Sequence, residues 1–198
     1  MITIVDYRAG NLASVRKAFA HLGYEPQVTE DPEAVARAER IVLPGVGHFN
    51  ATAQLERAGL RQAIAEAIAR GVPFLGICVG MQWMFEGSEE APEVSGLGVL
   101  PGCCSKFPAT VKSPHVGWNS VKAEAASRLL AGLPPEFFVY YTHSYRAPLT
   151  EATVARSEYG GSFAAVVERD NLFGVQFHPE KSSEAGLRLL DNFGRLAC

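Results

Sequence analysis

The chain has no run of apolar residues long enough to cross a bilayer, so no membrane contact is expected. It also lacks an excess of basic residues. Eighteen Lys and Arg stand against 21 Asp and Glu, a formal net charge of −3, which removes the electrostatic footprint of a nucleic-acid binder. Cysteine is scarce, and the four present (Cys78, Cys103, Cys104, Cys198) form no C-x-x-C pair and no disulfide framework. A reducing, cytoplasmic setting is therefore the expectation. The five histidines are scattered, which gives no metal site and no cofactor motif. The opening residues, Met1-Ile2-Thr3-Ile4-Val5-Asp6, lack the basic lead of a signal peptide and read as a first strand. Repeats, linkers and low-complexity segments are missing too. With 198 residues and 47% apolar composition, one domain over residues 1–198 with a single core is the natural size.

What is present falls into two halves. The first alternates strand and helix. A strand over Ile2 to Asp6 leads to a helix over Leu12 to Leu22, with Asn11 as its cap and Gly23 as its stop. Glu25 to Thr29 forms a further strand, and Asp31-Pro32 opens another helix with proline at its first position. Ile41 to Leu43 is a strand tip, and residues 50–70 form one or two helices broken at Gly59. Phe74 to Phe85 is a strand that turns into a helix. This rhythm predicts an α/β fold with a central, mostly parallel sheet flanked by helices. The second half predicts a smaller region of antiparallel strands, with Gly160-Gly161 and Asp170-Asn171 as turns. Residues 126–131 read as a short helix, and Ser182 or Ser183 caps a last one.

Three stretches carry chemistry. In Gly76-Ile77-Cys78-Val79-Gly80 a nucleophile sits between glycines where a strand becomes a helix. Such a turn strains its central residue and lifts the side chain off the sheet, beside a helix start that favours an anion. The competing reading is a buried core cysteine. In Phe177-His178-Pro179-Glu180, proline forces His178 to be extended, and residues two apart in an extended chain share a face. Cys78, His178 and Glu180 are then the parts of a nucleophile, base and base-orienting acid. The third stretch is Pro44-Gly45-Val46-Gly47. Its glycines leave the peptide at Val46 free to turn an N–H toward an oxyanion, beside a second donor on Val79. It lacks the Gly-Lys-Ser/Thr of a phosphate loop.

Leu43-Pro44-Gly45, Gly76 to Gln82 and Phe177 to Glu180, in that order, resemble the class I, triad-type glutamine amidotransferases. Asp6-Tyr7, Gly10-Asn11-Leu12, His48-Phe49, His115 to Asn119, His143-Ser144-Tyr145 and Lys181-Ser182 are most similar to the glutaminase subunits of imidazole glycerol phosphate synthases within that family. The resemblance implies that Cys78 attacks the side-chain amide of glutamine, with His178 as proton shuttle and Glu180 as its support. It implies that Val46, Gly47, Val79, Gln82, Ser144 and Tyr145 bind the oxyanion and the amino-acid end of glutamine. It also implies a heterodimer in which ammonia passes to a (β/α)8-barrel cyclase of histidine biosynthesis, with Asn11, Trp118 and Lys181 at the interface. The chain departs from the family at Arg8, where glycine is usual, and at Val79, where leucine is commoner. A free-standing cysteine hydrolase with the same triad, a peptidase or thioesterase, is the alternative, and a non-enzymatic binding protein on this fold is a third. Cys103, Cys104 and Cys198 read as structural thiols. Glu86, Glu89 and Glu90 form a charge run with no assigned chemistry.

Overall fold

A computed structural model describes residues 1–196; the expectation for Cys198 lies outside the described residues. The strands of the first half are β1 (Ile2–Val5), β2 (Gln27–Thr29), β3 (Arg40–Gly45) and β4 (Phe74–Cys78). Between them run the helices α1 (Leu12–His21), α2 (Pro32–Ala36), α3 (Ala53–Arg57) and α4 (Leu60–Ala69), and α5 (Val79–Gln82) follows β4 directly. The second half holds β5 (Gly87–Ser88), β6 (Cys103–Lys106), β7 (His115–Ala123), β8 (Glu136–His143), β9 (Tyr145–Arg146), β10 (Thr153–Glu158), β11 (Ser162–Arg169) and β12 (Leu172–Val175). Helix α6 (Ser183–Gly194) ends the description.

Nine strands form one sheet in the order β2-β1-β3-β4-β12-β11-β10-β7-β8. From β2 to β12 neighbours run parallel; from β12 to β8 they run antiparallel. The antiparallel strands thus extend the same sheet instead of standing apart from it. A separate small sheet, β5-β6-β9, covers one end. Its strands are two to four residues long.

Burial explains the split. In β1 and β4 every residue is buried, as strands must be when helices cover both faces. In β7 and β8 buried and exposed residues alternate, so one face is open, and Val116, Trp118 and Phe138 stand 55%, 54% and 62% exposed on it. The helices pair off, α1 with α6 and α2 with α4, and the chain breaks between α3 and α4 at Gly59, as its spacing predicts.

Two local expectations are corrected. Residues 126–131 make turns and no helix. Glu168 accepts from Ser127 Oγ and from the Arg128 and Leu129 amides there, and Gly132 followed by Pro134 leaves too few residues for the costly first helical turns. Asn11 and Ser182 do stand at the N-caps of α1 and α6, but neither side chain caps its helix. Both are spent on the turn at His178 instead.

Candidate active site

The parallel register brings the three sequence motifs to one edge. Gly45 lies opposite Cys78 in the β3–β4 ladder, and Val175 lies opposite Ile77 in the β12–β4 ladder. Whatever follows β3 and β12 must therefore emerge on either side of Cys78, at the strand ends where ligands of such sheets bind.

Cys78 has φ 53° and ψ −109°, a left-handed conformation that a non-glycine residue holds only under strain. The flanking glycines are needed for steric reasons. A Cβ on Gly76 would stand 2.5 Å from the Gly80 carbonyl oxygen, and a Cβ on Gly80 would stand 1.9 Å from that of Leu43. Helix α5 thus starts pressed against β3, closer than any side chain allows. Gly45 faces the same crowding from Val79 and from the hydroxyl of Tyr7. Gly47, at φ +90°, has open space around it.

His178 Nδ1 lies 3.0 Å from Glu180 Oε1, with both side chains buried. Burial alone would push the His178 ring down. The charge of Cys78 and then Glu180 outweigh this and raise it to about 10. The turn that carries these groups is held from three directions. Asn11 Nδ2 donates to Glu180 Oε1 at 3.3 Å. Ser182 Oγ donates to the His178 carbonyl at 2.6 Å and accepts from the Tyr140 amide at 2.9 Å. The His178 amide donates to the Tyr140 carbonyl at 2.9 Å. Edge strand β8 is thereby bonded to the turn on both sides of its imidazole.

Beside Cys78 is a cavity of about 190 Å³, lined by Gly47, Val79, Gln82, Glu90, Thr142, Ser144 and Tyr145 among others. A larger cleft of about 670 Å³, between Leu100–Gly102 and Pro148–Ala152, is lined by no cysteine and no histidine; the chemistry, not the volume, marks the site. Gln82 is 2% exposed. Its amide nitrogen donates to the Tyr145 carbonyl at 2.8 Å and to Gln176 Oε1 at 3.2 Å, leaving its oxygen as the group with capacity to spare. Val46 is half-exposed on the loop and Val79 is buried next to the sulfur. Asn11 turns its amide inward to Glu180. Trp118 and Lys181 lie outside the cavity, flanking the Tyr140 ring at 6.2 Å and 5.9 Å.

Glu90 was not legible as a site residue. Its carboxylate accepts from the Phe49 amide at 2.7 Å and borders the cavity, an arrangement that no local spacing encodes. Its neighbour Glu89 instead accepts from the Lys106 amide. Among the described residues, no group of three His, Cys, Asp or Glu could hold a metal, and no helix is long and apolar enough to cross a membrane. Cys78, Cys103 and Cys104 are free thiols, Cys103 exposed and Cys104 buried.

The model of the class I glutamine amidotransferases matches residues 3–196. The chain belongs to that family. Among curated members it is similar to the imidazole glycerol phosphate synthase subunit HisH of Moorella thermoacetica, at 50% identity over 98% of this chain and 94% of that one. It is also similar to the subunit of the same name of Methanothermobacter thermautotrophicus, at 47% identity over 98% and 97%. A solved glutamine amidotransferase superposes with a TM-score of 0.77 over 98% of this chain and 100% of its own, and PurLQS from Thermotoga maritima with 0.75 over 97% and 96%. Both are 20% identical and bear on the amidotransferase fold alone. Within the family fold, Arg8 takes φ 64°, a conformation that glycine adopts at no steric cost.

Proposed function

We propose that this chain, as one domain, is the glutaminase subunit of an imidazole glycerol phosphate synthase. The observation that carries the reading is the strained turn of Cys78 beside a small cavity, with the buried His178–Glu180 pair following the neighbouring strand β12. Near 50% identity to subunits of that name along almost the full length supports it.

Cys78 Sγ attacks the side-chain carbonyl carbon of glutamine, and the negative charge moves to the carbonyl oxygen. The N–H of Val79 and the N–H of Val46, once turned inward, hold that oxygen; one such donor is worth on the order of 3 kcal/mol of barrier. His178 passes its proton to the departing amide nitrogen, ammonia leaves, and a thioester remains on Cys78. His178 then takes a proton from water, hydroxide attacks the thioester, glutamate is released, and the expelled thiolate recovers its proton from His178. Glu180 holds His178 in the tautomer and orientation this requires. Gln82 Oε1 and Glu90 accept from the α-ammonium of glutamine, while backbone at Gly47, Ser144 and Tyr145 meets its carboxylate.

Ammonia passes to a cyclase subunit of (β/α)8-barrel form in the cytoplasm, with Trp118 and Lys181 on the docking face. The test is glutamine turnover by the chain alone, with the cyclase, and with the cyclase and its nucleotide ligand. Turnover that rises with the partner and disappears in Cys78→Ala is the expected result. Equal turnover in all three conditions would favour a free-standing hydrolase and overturn the assignment.

A further inference from the structure

Behind the cavity runs a chain of buried hydrogen bonds that the triad does not use. His143 Nδ1 lies 2.8 Å from the Tyr145 carbonyl oxygen, His143 Nε2 lies 3.0 Å from His115 Nδ1, and His115 Nε2 lies 3.4 Å from Asn119 Nδ2. The direction of every bond is forced. A carbonyl only accepts, so the proton of His143 sits on Nδ1 and its Nε2 is a lone pair. His115 must then donate from Nδ1, and its Nε2 accepts from Asn119. The second N–H of Asn119 goes to the Glu158 carbonyl at 3.0 Å, and its oxygen accepts from the Ser120 amide. Both rings are buried, 5% and 6% exposed. Burial pushes them down to about 4 and about 3, so both are neutral.

Neither ring is free to turn. His115 is stacked between Tyr159 at 4.0 Å and Tyr141 at 4.8 Å, and Phe107 meets the His143 ring at 5.0 Å. The two histidines are direct partners in the β7–β8 ladder. The end of the chain is the Tyr145 carbonyl, which also accepts from Gln82. The other end sits on β7, whose opposite face carries the exposed Trp118.

We propose that His115 is a positioning residue for glutamine binding: through His143 it fixes the Tyr145 carbonyl, and with it the Gln82 amide and the Ser144–Tyr145 turn. This rests on the cavity being the glutamine site. Without the His115 donor, His143 Nε2 is a buried acceptor with no partner. With that bond gone the ring is held only at Nδ1, and it shifts toward another donor, taking the Tyr145 carbonyl with it.

The experiment compares His115→Leu with His115→Asn in the complex with the cyclase. The amide nitrogen of Asn stands close to where Nδ1 stands and can donate as it does. His115→Leu raises KM for glutamine about tenfold, the cost of roughly one hydrogen bond, with kcat within about twofold. His115→Asn returns KM to within about threefold of wild type. Equal KM values in the two variants, or a loss confined to kcat, would overturn the positioning role. If the wild type turns over no glutamine, the function above has failed instead. Should His115→Leu not fold, 15N-histidine spectra of the wild-type complex decide the matter. Nδ1–H on both neutral rings supports the chain; Nε2–H on His143 refutes it.

Discussion

Gly80→Ala would test whether the approach of α5 to β3 is what holds the nucleophile. The new methyl would lie 1.9 Å from the Leu43 carbonyl oxygen and 2.9 Å from its carbon, where ordinary contact begins at 3.4 Å. The obstacle is backbone in the middle of a sheet, bonded on both sides, so it cannot rotate away. Relief must come from α5, which would have to lift by about an ångström. Overpacking of this kind costs about 1–3 kcal/mol, and in a chain of this size each kcal/mol lowers Tm by about 2–4 °C, so melting should fall by about 2–12 °C. Because Cys78 is the residue on which α5 pivots, the sulfur moves with the helix. A misplacement of about 1 Å costs on the order of a hundredfold in rate. Thermal melting and glutamine turnover in the complex measure both. Gly71→Ala is the control, since Gly71 sits at φ +89° with nothing within 4 Å: it should lose some stability through strain and no activity beyond that. Unchanged melting and unchanged kcat in Gly80→Ala would refute the reasoning.

Two further outcomes follow from the same geometry. Asn11→Ala removes one of the donors on Glu180 Oε1 and should lower kcat about tenfold; Asn11→Asp sets a second carboxylate there and should lower it further, so wild-type turnover in Asn11→Asp would contradict this support role. The buried neutral histidines give a pH dependence. His115 is held below its ordinary value by burial, so below about pH 6.5 the unfolded chain binds a proton there that the folded chain does not, and stability falls with pH until about 4. His115→Asn removes that proton, so its stability curve in denaturant titrations should be shallower than wild type by up to about 1.4 kcal/mol per pH unit between 6 and 4. Parallel curves would contradict a buried neutral ring.

The strained turn at Cys78 and the pairing of His178 with Glu180 could be read from sequence because each depends on local rules. Glycine on both sides of a nucleophile marks a strained turn, and proline sets the residue before it. The parallel half of the sheet was readable for a similar reason, since strands covered on both faces are short continuous apolar runs. What could not be read depends on register. Glu90 reaches the cavity only because the segment after α5 folds back to the Phe49 amide. His115 meets His143 only because β7 and β8 pair in one register, and β7 shifted by one residue would point the His115 ring to the other face. Asn11 and Ser182 show the opposite failure. Their positions as caps follow from local preference, yet their side chains serve a turn more than 160 residues away in one case and four in the other.

The central claim is that Cys78 carries the acyl group of glutamine. Intact mass measured after rapid acid quench of the complex turning over glutamine tests it most directly. A glutamyl adduct that maps to the peptide containing Cys78, and that is missing in Cys78→Ala, is the predicted result. Steady turnover with no adduct on Cys78 under any quench time, or turnover that survives in Cys78→Ala, would contradict it.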